Sequence, residues 1–278
     1  MPLVLIGTPI GNLGDLSPRV VDVLKTADVI ACEDTRRTRK LLAHAGIASA
    51  GRLRALHAHN EDEQAERVVD EVRAGRTVAY ATDAGMPGIS DPGARLVRAC
   101  RAAGLAVEVV PGPSAALAAL VLSGFTADRF VFEGFLPRKG AERRARLEAI
   151  ARDERTAVVF EAPNRVRATL DDLLAVCEGD RLVCVARELT KLHEEVLVAP
   201  LSDAAGVARF GEPRGEHVVV LEGRTVDAIP VTDETIAASV EDALGRGLSA
   251  RDAAAEVAAT LGVPKRRAYE LAVTLRRR

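Results

Sequence analysis

The residues able to do chemistry in this chain fall in short clusters, each placed directly after an apolar run. Gly7-Thr-Pro-Ile-Gly-Asn-Leu-Gly14 follows the run Leu3–Ile6. Its glycines permit tight turning and close backbone approach to a ligand. Pro9 removes an amide that a phosphate cradle would use, and a plain strand-to-helix turn fits the segment equally well. Thr82-Asp-Ala-Gly-Met-Pro-Gly-Ile-Ser-Asp-Pro-Gly93 is a second such loop. Asp83 could accept from hydroxyls or amines of a small molecule, or Asp83 and Asp91 could simply cap a double turn. Pro111-Gly-Pro-Ser-Ala-Ala116 puts Ser114 and Ala115 at a helix start, where capping alone would account for the serine. Cys32-Glu-Asp-Thr-Arg-Arg-Thr-Arg-Lys40 packs acid, hydroxyl and base together. Arginine forks suit phosphate oxygens, but a solvated charge run has the same composition. Phe160-Glu-Ala-Pro-Asn-Arg165 and Ala186-Arg-Glu-Leu-Thr-Lys191 set acid beside base, as surface ion pairs also do.

The elements that must position these clusters alternate. Strands are predicted at Leu3–Ile6, Val29–Cys32, Thr77–Ala81 and Ala106–Val110. Helices are predicted at Arg19–Thr26, Glu61–Ala74 and Ala94–Ala103. That order implies an α/β domain with a largely parallel sheet. After Pro111 a small-residue helix begins at Ala115. Strands follow at Phe130–Glu133, Ala157–Glu161, Leu182–Ala186, Glu194–Pro200 and His217–Glu222, with helices at Glu142–Ala151 and Arg165–Val176. This half is also α/β, with a mixed sheet expected. Beyond Gly223 a linker around Ile229 leads to three helices, Asp233–Leu244, Ser249–Thr260 and Pro264–Arg277, the last opened by its proline. The expected division is 1–112, 113–224 and 225–278.

Composition bounds the function class. The chain has 278 residues, 48% of them hydrophobic and 28% charged, enough for more than one ordinary globular domain. No apolar run reaches the length of a bilayer span. The N-terminus reads as a first strand, not a signal peptide. Four cysteines without CxxC spacing fit reduced thiols in a cytoplasmic protein, and no cluster has metal-ligand spacing. Aromatics at 3% argue against a stacking platform for single strands. A net charge of −2 argues against a globally basic nucleic-acid binder, but the basic residues are clustered. Arg36, Arg37, Arg39 and Lys40 form one patch, and Arg138, Lys139, Arg143, Arg144 and Arg146 another. Lys265, Arg266, Arg267, Arg276, Arg277 and Arg278 form a third. Local patches of this kind would steer a polyanion.

Taken in order, GTPIGNLGDLSPR, ACEDTRRT, ATDAGMPGISDPG, VVPGPSAALAAL, FEGFLPRK, FEAPNR and ARELTKLHEE resemble the ribosomal RNA small-subunit methyltransferase I family of the tetrapyrrole methylase superfamily. The resemblance covers residues 3 to about 223, and the EDTR and ARELTK segments look specific to the ribosomal branch. It implies two α/β domains of the class III methyltransferase type, with S-adenosylmethionine in the cleft between them. A C-terminal helical extension follows, possible as a helix-turn-helix. It also implies ribose 2′-O-methylation of a cytidine in the decoding region of 16S rRNA, and a homodimer. Carried over by motif, Ile10, Asp83, Met86, Ser114, Ala115, Glu161, Leu189 and His217 would touch the cofactor. Met86 and Gly88 depart from the family pattern, which has a threonine and a larger residue there.

For the reaction, alignment of the hydroxyl with the methyl donor is the main requirement, helped by a base or cation that removes its proton. Asp34, Glu188 and Lys191 are the candidates, with Arg36 positioning phosphate. Two rivals stand beside this reading: a corrin-type small-molecule methylase of the same superfamily, and a DNA-binding regulator acting through Ser249–Arg277.

Overall fold

The computed structural model describes residues 1–57, 60–207, 215–225 and 232–276. It divides into two compact units, Met1–Arg224 and Thr225–Arg278.

The first unit begins with five short strands: β1 (Leu3–Ile6), β2 (Val29–Cys32), β3 (Leu53–Ala55), β4 (Val78–Ala81) and β5 (Val107–Val110). They form one parallel sheet in the order β3-β2-β4-β1-β5. β1, β2 and β4 are buried on both faces, which explains their unbroken apolar sequences. Leu3, Leu5, Val29, Ala31, Val78 and Tyr80 pack towards α3 (Glu61–Arg73) and α4 (Ala94–Ala102). Val4, Ile6, Ile30, Ala79 and Ala81 pack towards α1 (Pro18–Thr26) and α2 (Thr35–His44). All carboxyl ends of a parallel sheet lie at one edge, so the loops after β1, β2, β4 and β5 share that edge, where α/β proteins bind ligands.

The loop after β5 leads into α5 (Ala115–Ser123), which covers one face of a second sheet. That sheet contains β6 (Phe130–Phe135), β7 (Thr156–Glu161), β8 (Leu182–Arg187), β9 (Glu195–Pro200) and β10 (His217–Leu221), in the order β6-β7-β10-β8-β9. Only β6 and β7 pair in parallel; β10 runs antiparallel to both its neighbours, so the sheet is mixed as expected. Its other face packs on α6 (Ala141–Arg152), α7 (Val166–Leu174) and α8 (Leu201–Gly206). Ile10, from the first turn of the chain, is buried in the cluster beneath α5.

The second unit is a three-helix cluster of α9 (Asp233–Gly245), α10 (Ala250–Leu261) and α11 (Lys265–Arg276) around Ile236, Val240, Ala253, Ala254, Val257, Ala268 and Ala272. Thr232 and Ser249 cap α9 and α10, each accepting from a backbone amide three residues on. The basic character of α11 is weaker than its sequence suggests, because Arg266 pairs with Glu270 at 3.0 Å and Arg267 with Asp233 at 2.7 Å. Arg277 and Arg278 lie outside the described residues, as does the side chain of Arg276. No helix among the described residues is long and apolar enough to cross a membrane.

Candidate active site

Two contiguous cavities open at the carboxyl edge of the parallel sheet. The first, about 370 Å³, is bounded by Ile10, the Ala84–Met86 and Ile89–Asp91 parts of the loop after β4, and Ser114 and Ala115 at the start of α5. Phe135, Phe160–Pro163 and Glu216–Val218 complete it from the mixed sheet. The second, about 340 Å³, is bounded by Thr8–Gly11, Leu13, Arg37, Thr38, Lys40, Leu41, Thr82–Ala84, Lys191 and Glu216. Ile10, Ala84 and Glu216 belong to both walls.

The backbone at this edge is pinned tightly. Gly7 donates its amide to Val110 O at 2.9 Å, and Thr8 and Gly85 exchange hydrogen bonds at 2.9 and 3.1 Å. A Cβ on Gly7 would lie 2.6 Å from Gly112 Cα and 2.8 Å from Met86 Sδ. Gly85 and Gly88 take positive φ values of 82° and 79°, which carries the rigid loop past the strand end. The glycines of the first two motifs therefore serve backbone approach, with Met86 filling the space against Gly112; its sulfur accepts from Gly112 N at 3.3 Å.

The two cavities differ in charge. The first is walled by Asp91, Glu161 and Glu216 and by no lysine or arginine. Glu161 is buried, accepting from Thr169 Oγ1 at 2.6 Å and from Ala162 N at 2.9 Å. Asp91 is pushed up to about 6, first by burial and then by the charges of Glu33 and Asp83. His217 Nδ1 lies 3.2 Å from Gly215 O, so it carries the proton in that contact; burial pulls the ring's pKa down. Its Nε2 is then an acceptor, and it is buried without a partner. The second cavity has three cations on its wall, Arg37, Lys40 and Lys191, against two carboxylates, Asp83 and Glu216. Lys191 Nζ is held by Glu188 at 2.8 Å and Glu216 at 2.9 Å. Burial pulls the Lys191 pKa down, but these bonds outweigh it and leave it raised.

Of the residues expected at the cofactor, Ile10, Met86, Ser114, Ala115, Glu161 and His217 line the first cavity together. Asp83 lines the second instead, where it accepts from Asp34 N at 3.0 Å and faces Arg37 Nε at 3.5 Å. Leu189 lines neither; it is packed beneath α5 with its carbonyl beside Gly11. Among the residues expected in catalysis, only Lys191 lines a cavity. Asp34 caps α2, bonding to Arg36 N and to the Arg36 guanidinium, whose hydrogen bonds hold its carboxyl far below the usual range. Arg36 itself is 83% exposed on its side chain, directed away from the cavities its helix flanks. Glu188 sits at a positive φ of 51° and accepts from Lys191 Nζ and Glu216 N; these bonds and the Lys191 charge outweigh burial and keep it ionised.

Sequence reasoning passed over Glu216, placed Arg37 only within a basic cluster, and offered Asp91 only as a cap. Arg37 is one residue from the arginine that was singled out, and only the helical phase of α2 separates them. Of the second basic patch, Arg143 is buried against Asp172, Thr169 and Pro137 O, and Arg146 pairs with Glu133.

The profile of the Tetrapyrrole (Corrin/Porphyrin) Methylases matches residues 2–205, and that of the "RsmI C-terminal HTH domain" matches residues 231–276. The chain is 41% identical to the ribosomal RNA small subunit methyltransferase I of Synechocystis, over 98% of each chain. It is 44% identical to that of Mycobacterium bovis, over 99% of this chain and 95% of the other. The chain belongs to the small-subunit rRNA methyltransferase I family of the tetrapyrrole methylases. Solved members of the wider group share the fold. Uroporphyrin-III-C-methyltransferase from Thermus thermophilus superposes with a TM-score of 0.57 at 21% identity, covering 80% of this chain and 94% of the other. A cobalt precorrin-4 methyltransferase gives 0.61 at 18% identity, covering 80% and 94%. At these identities the likeness concerns the fold alone. The family's helical C-terminal module corresponds to the α9–α11 cluster.

Proposed function

We propose that this protein is a cytoplasmic, S-adenosylmethionine-dependent methyltransferase that modifies a cytidine ribose 2′-hydroxyl in 16S rRNA of the small ribosomal subunit. The observation that carries the reading is the pair of contiguous cavities, the first walled by carboxylates without lysine or arginine and the second with cations in excess of carboxylates, in a chain whose relatives are named for methylating small-subunit rRNA. The acid-walled cavity suits a cofactor with a cationic sulfonium and amino group; the cation-walled one suits a polyanion. The fit to the cofactor is supported by the close glycine approach at Gly7 and Gly112 and by the unpartnered Nε2 of His217. Residues 1–112 and 113–224 act as the two walls of the site, with Ile10, Met86, Ser114, Ala115, Glu161 and His217 around the cofactor.

When bound, S-adenosylmethionine supplies an electrophilic methyl carbon. The chain's own task is to hold the ribose hydroxyl in line and to relieve it of its proton. Lys191, kept charged by Glu188 and Glu216, stabilises negative charge developing on the ribose oxygen. Glu216, on both walls, accepts the proton. Asp34 and Glu188 position their cationic partners. A corrin-type substrate is disfavoured by the ribosomal names of the relatives.

The test is transfer of labelled methyl to small subunits from a strain lacking this protein, followed by mass mapping of the rRNA. Label on a single ribose of 16S rRNA is expected. Label on a base, or on a corrinoid in place of RNA, would replace this reading with a rival.

We propose that the working form is a homodimer. Leu117, Val121 and Leu122 on α5 are 51%, 77% and 46% exposed, a contiguous apolar surface that is costly to leave in water. Light scattering at micromolar concentration should give twice the 29.5 kDa chain mass. A monomeric mass would refute the pairing.

A further inference from the structure

The second cavity carries a more specific consequence for the substrate. Arg37 and Lys40 stand three residues apart on α2 and so share one helix face, which forms a wall of the cavity; Lys191 comes from the opposite side, in the turn after β8. Arg36, the residue expected to position phosphate, and Arg39 are not on that wall. Arg37 has a 3.5 Å contact with Asp83 on the same wall and is 61% exposed on its side chain, and Lys40 has no ion pair among the described residues. Their charge is thus available to a ligand. Thr8 and Thr82 line the same space, with their hydroxyls directed to backbone carbonyls.

We infer that this cavity holds the 3′-phosphate of the nucleotide being methylated, with Arg37 and Lys40 as its positioning residues. The inference rests on the reading of the protein as a ribose 2′-O-methyltransferase. In a nucleotide, the 2′-oxygen is attached to the carbon next to the one that carries the 3′-phosphate; the 5′-phosphate is further away along the sugar. A 2′-oxygen presented at the seam formed by Ile10, Ala84 and Glu216 therefore brings the 3′-phosphate, before any other, into the cation-lined space. A guanidinium and an ammonium against phosphate oxygens fix the ribose by charge and by hydrogen bonds while reading no base. The enzyme then requires an internal nucleotide, and a ribose with a free 3′-hydroxyl is a poor acceptor.

The experiment uses small subunits assembled from 16S rRNA split directly after the acceptor nucleotide, the upstream piece ending in either a 3′-phosphate or a 3′-hydroxyl. Full-length wild type, Arg37→Ala, Lys40→Ala and Arg39→Ala are compared for methyl transfer, and their affinity for S-adenosylmethionine is measured by calorimetry. With wild type, the 3′-phosphate substrate should be methylated at least tenfold faster than the 3′-hydroxyl one. In Arg37→Ala and Lys40→Ala that ratio should fall below about threefold, with kcat/KM on intact subunits reduced tenfold or more and cofactor affinity within twofold of wild type. Arg39→Ala should keep the full ratio, because its charge lies off the cavity wall. Equal rates on the two ends with wild type overturn the subsite while leaving ribose methylation in place. An unchanged ratio in Arg37→Ala and Lys40→Ala assigns the phosphate to other residues and overturns it likewise. If wild type methylates no ribose in intact subunits, the parent reading fails first.

Discussion

Gly7→Ala should sharply weaken cofactor binding. The new methyl would have to occupy space 2.6 Å from both the Cα and the N of Gly112, where the neighbour is backbone and cannot rotate aside. The carboxyl ends of β1 and β5 must therefore part. The loop that carries Ser114 and Ala115 moves with Gly112, and Met86 loses its place as well. Overpacking against backbone costs at the upper end of the usual range, about 3 kcal/mol. For a chain of this size that lowers Tm by about 6–12 °C. Binding of S-adenosylmethionine by calorimetry should weaken by about 30-fold or more. Gly206→Ala is the comparison: its Cβ meets nothing within 4 Å, so Tm should stay within about 2 °C and binding should be unaffected. A Gly7→Ala protein that binds the cofactor as wild type does would show that the close approach of these glycines has no part in the site.

The second expectation concerns pH. Asp91 carries a raised pKa of about 6 against an ordinary 3.8, because burial and the nearby charges of Glu33 and Asp83 penalise its ionised form. At pH 8 the carboxylate faces the cofactor cavity and attracts a cation; at pH 5 it is largely protonated and does not. S-adenosylmethionine affinity of the wild type should therefore rise as pH increases through 6. Asp91→Asn should weaken binding about tenfold at pH 8 and hardly at all at pH 5. Stability runs the other way. A group whose folded pKa is raised contributes stability that is complete below its unfolded pKa and is lost as pH rises through the folded one, here between about 4 and 6. Asp91→Asn should accordingly be more stable than wild type at pH 8, by about 1 kcal/mol once solvent screening is allowed for. A flat affinity profile from pH 5 to 8 would remove Asp91 from the cofactor site.

Strong periodic signals were readable without coordinates. The buried strands β1, β2 and β4 are marked by continuous apolar runs, and the Gly/Pro-rich segments after β1, β4 and β5 do converge on one edge. Where legibility failed, the reason is physical. α2 is absent from the predicted helices because its solvent-facing residues are mostly basic, and only Thr38, Leu41 and Leu42 are buried. β3 is a three-residue edge strand, too short for a period to show. The choice of Arg36 over Arg37 could not be made without the phase of that unseen helix. Leu189 was expected at the cofactor by motif, yet its apolar side chain is better satisfied in the core beneath α5. Glu216 gave no signal at all, because its importance comes from β10 being placed at the centre of its sheet.

That placement has a further effect on how the protein is made. The parallel sheet needs nothing beyond Val110 to be complete, so it can form while the rest of the chain is still being synthesised. The mixed sheet cannot. Its middle strand, His217–Leu221, is the last of the five to be translated, and until it arrives β7 and β8 each present an unpaired apolar edge. The nascent polypeptide therefore carries a finished half beside an open one from the completion of β7 at Glu161 until His217 is made. The strand that closes the gap also brings His217, with Glu216 directly before it, so the catalytic cleft and the last cooperative step of folding are completed by the same segment.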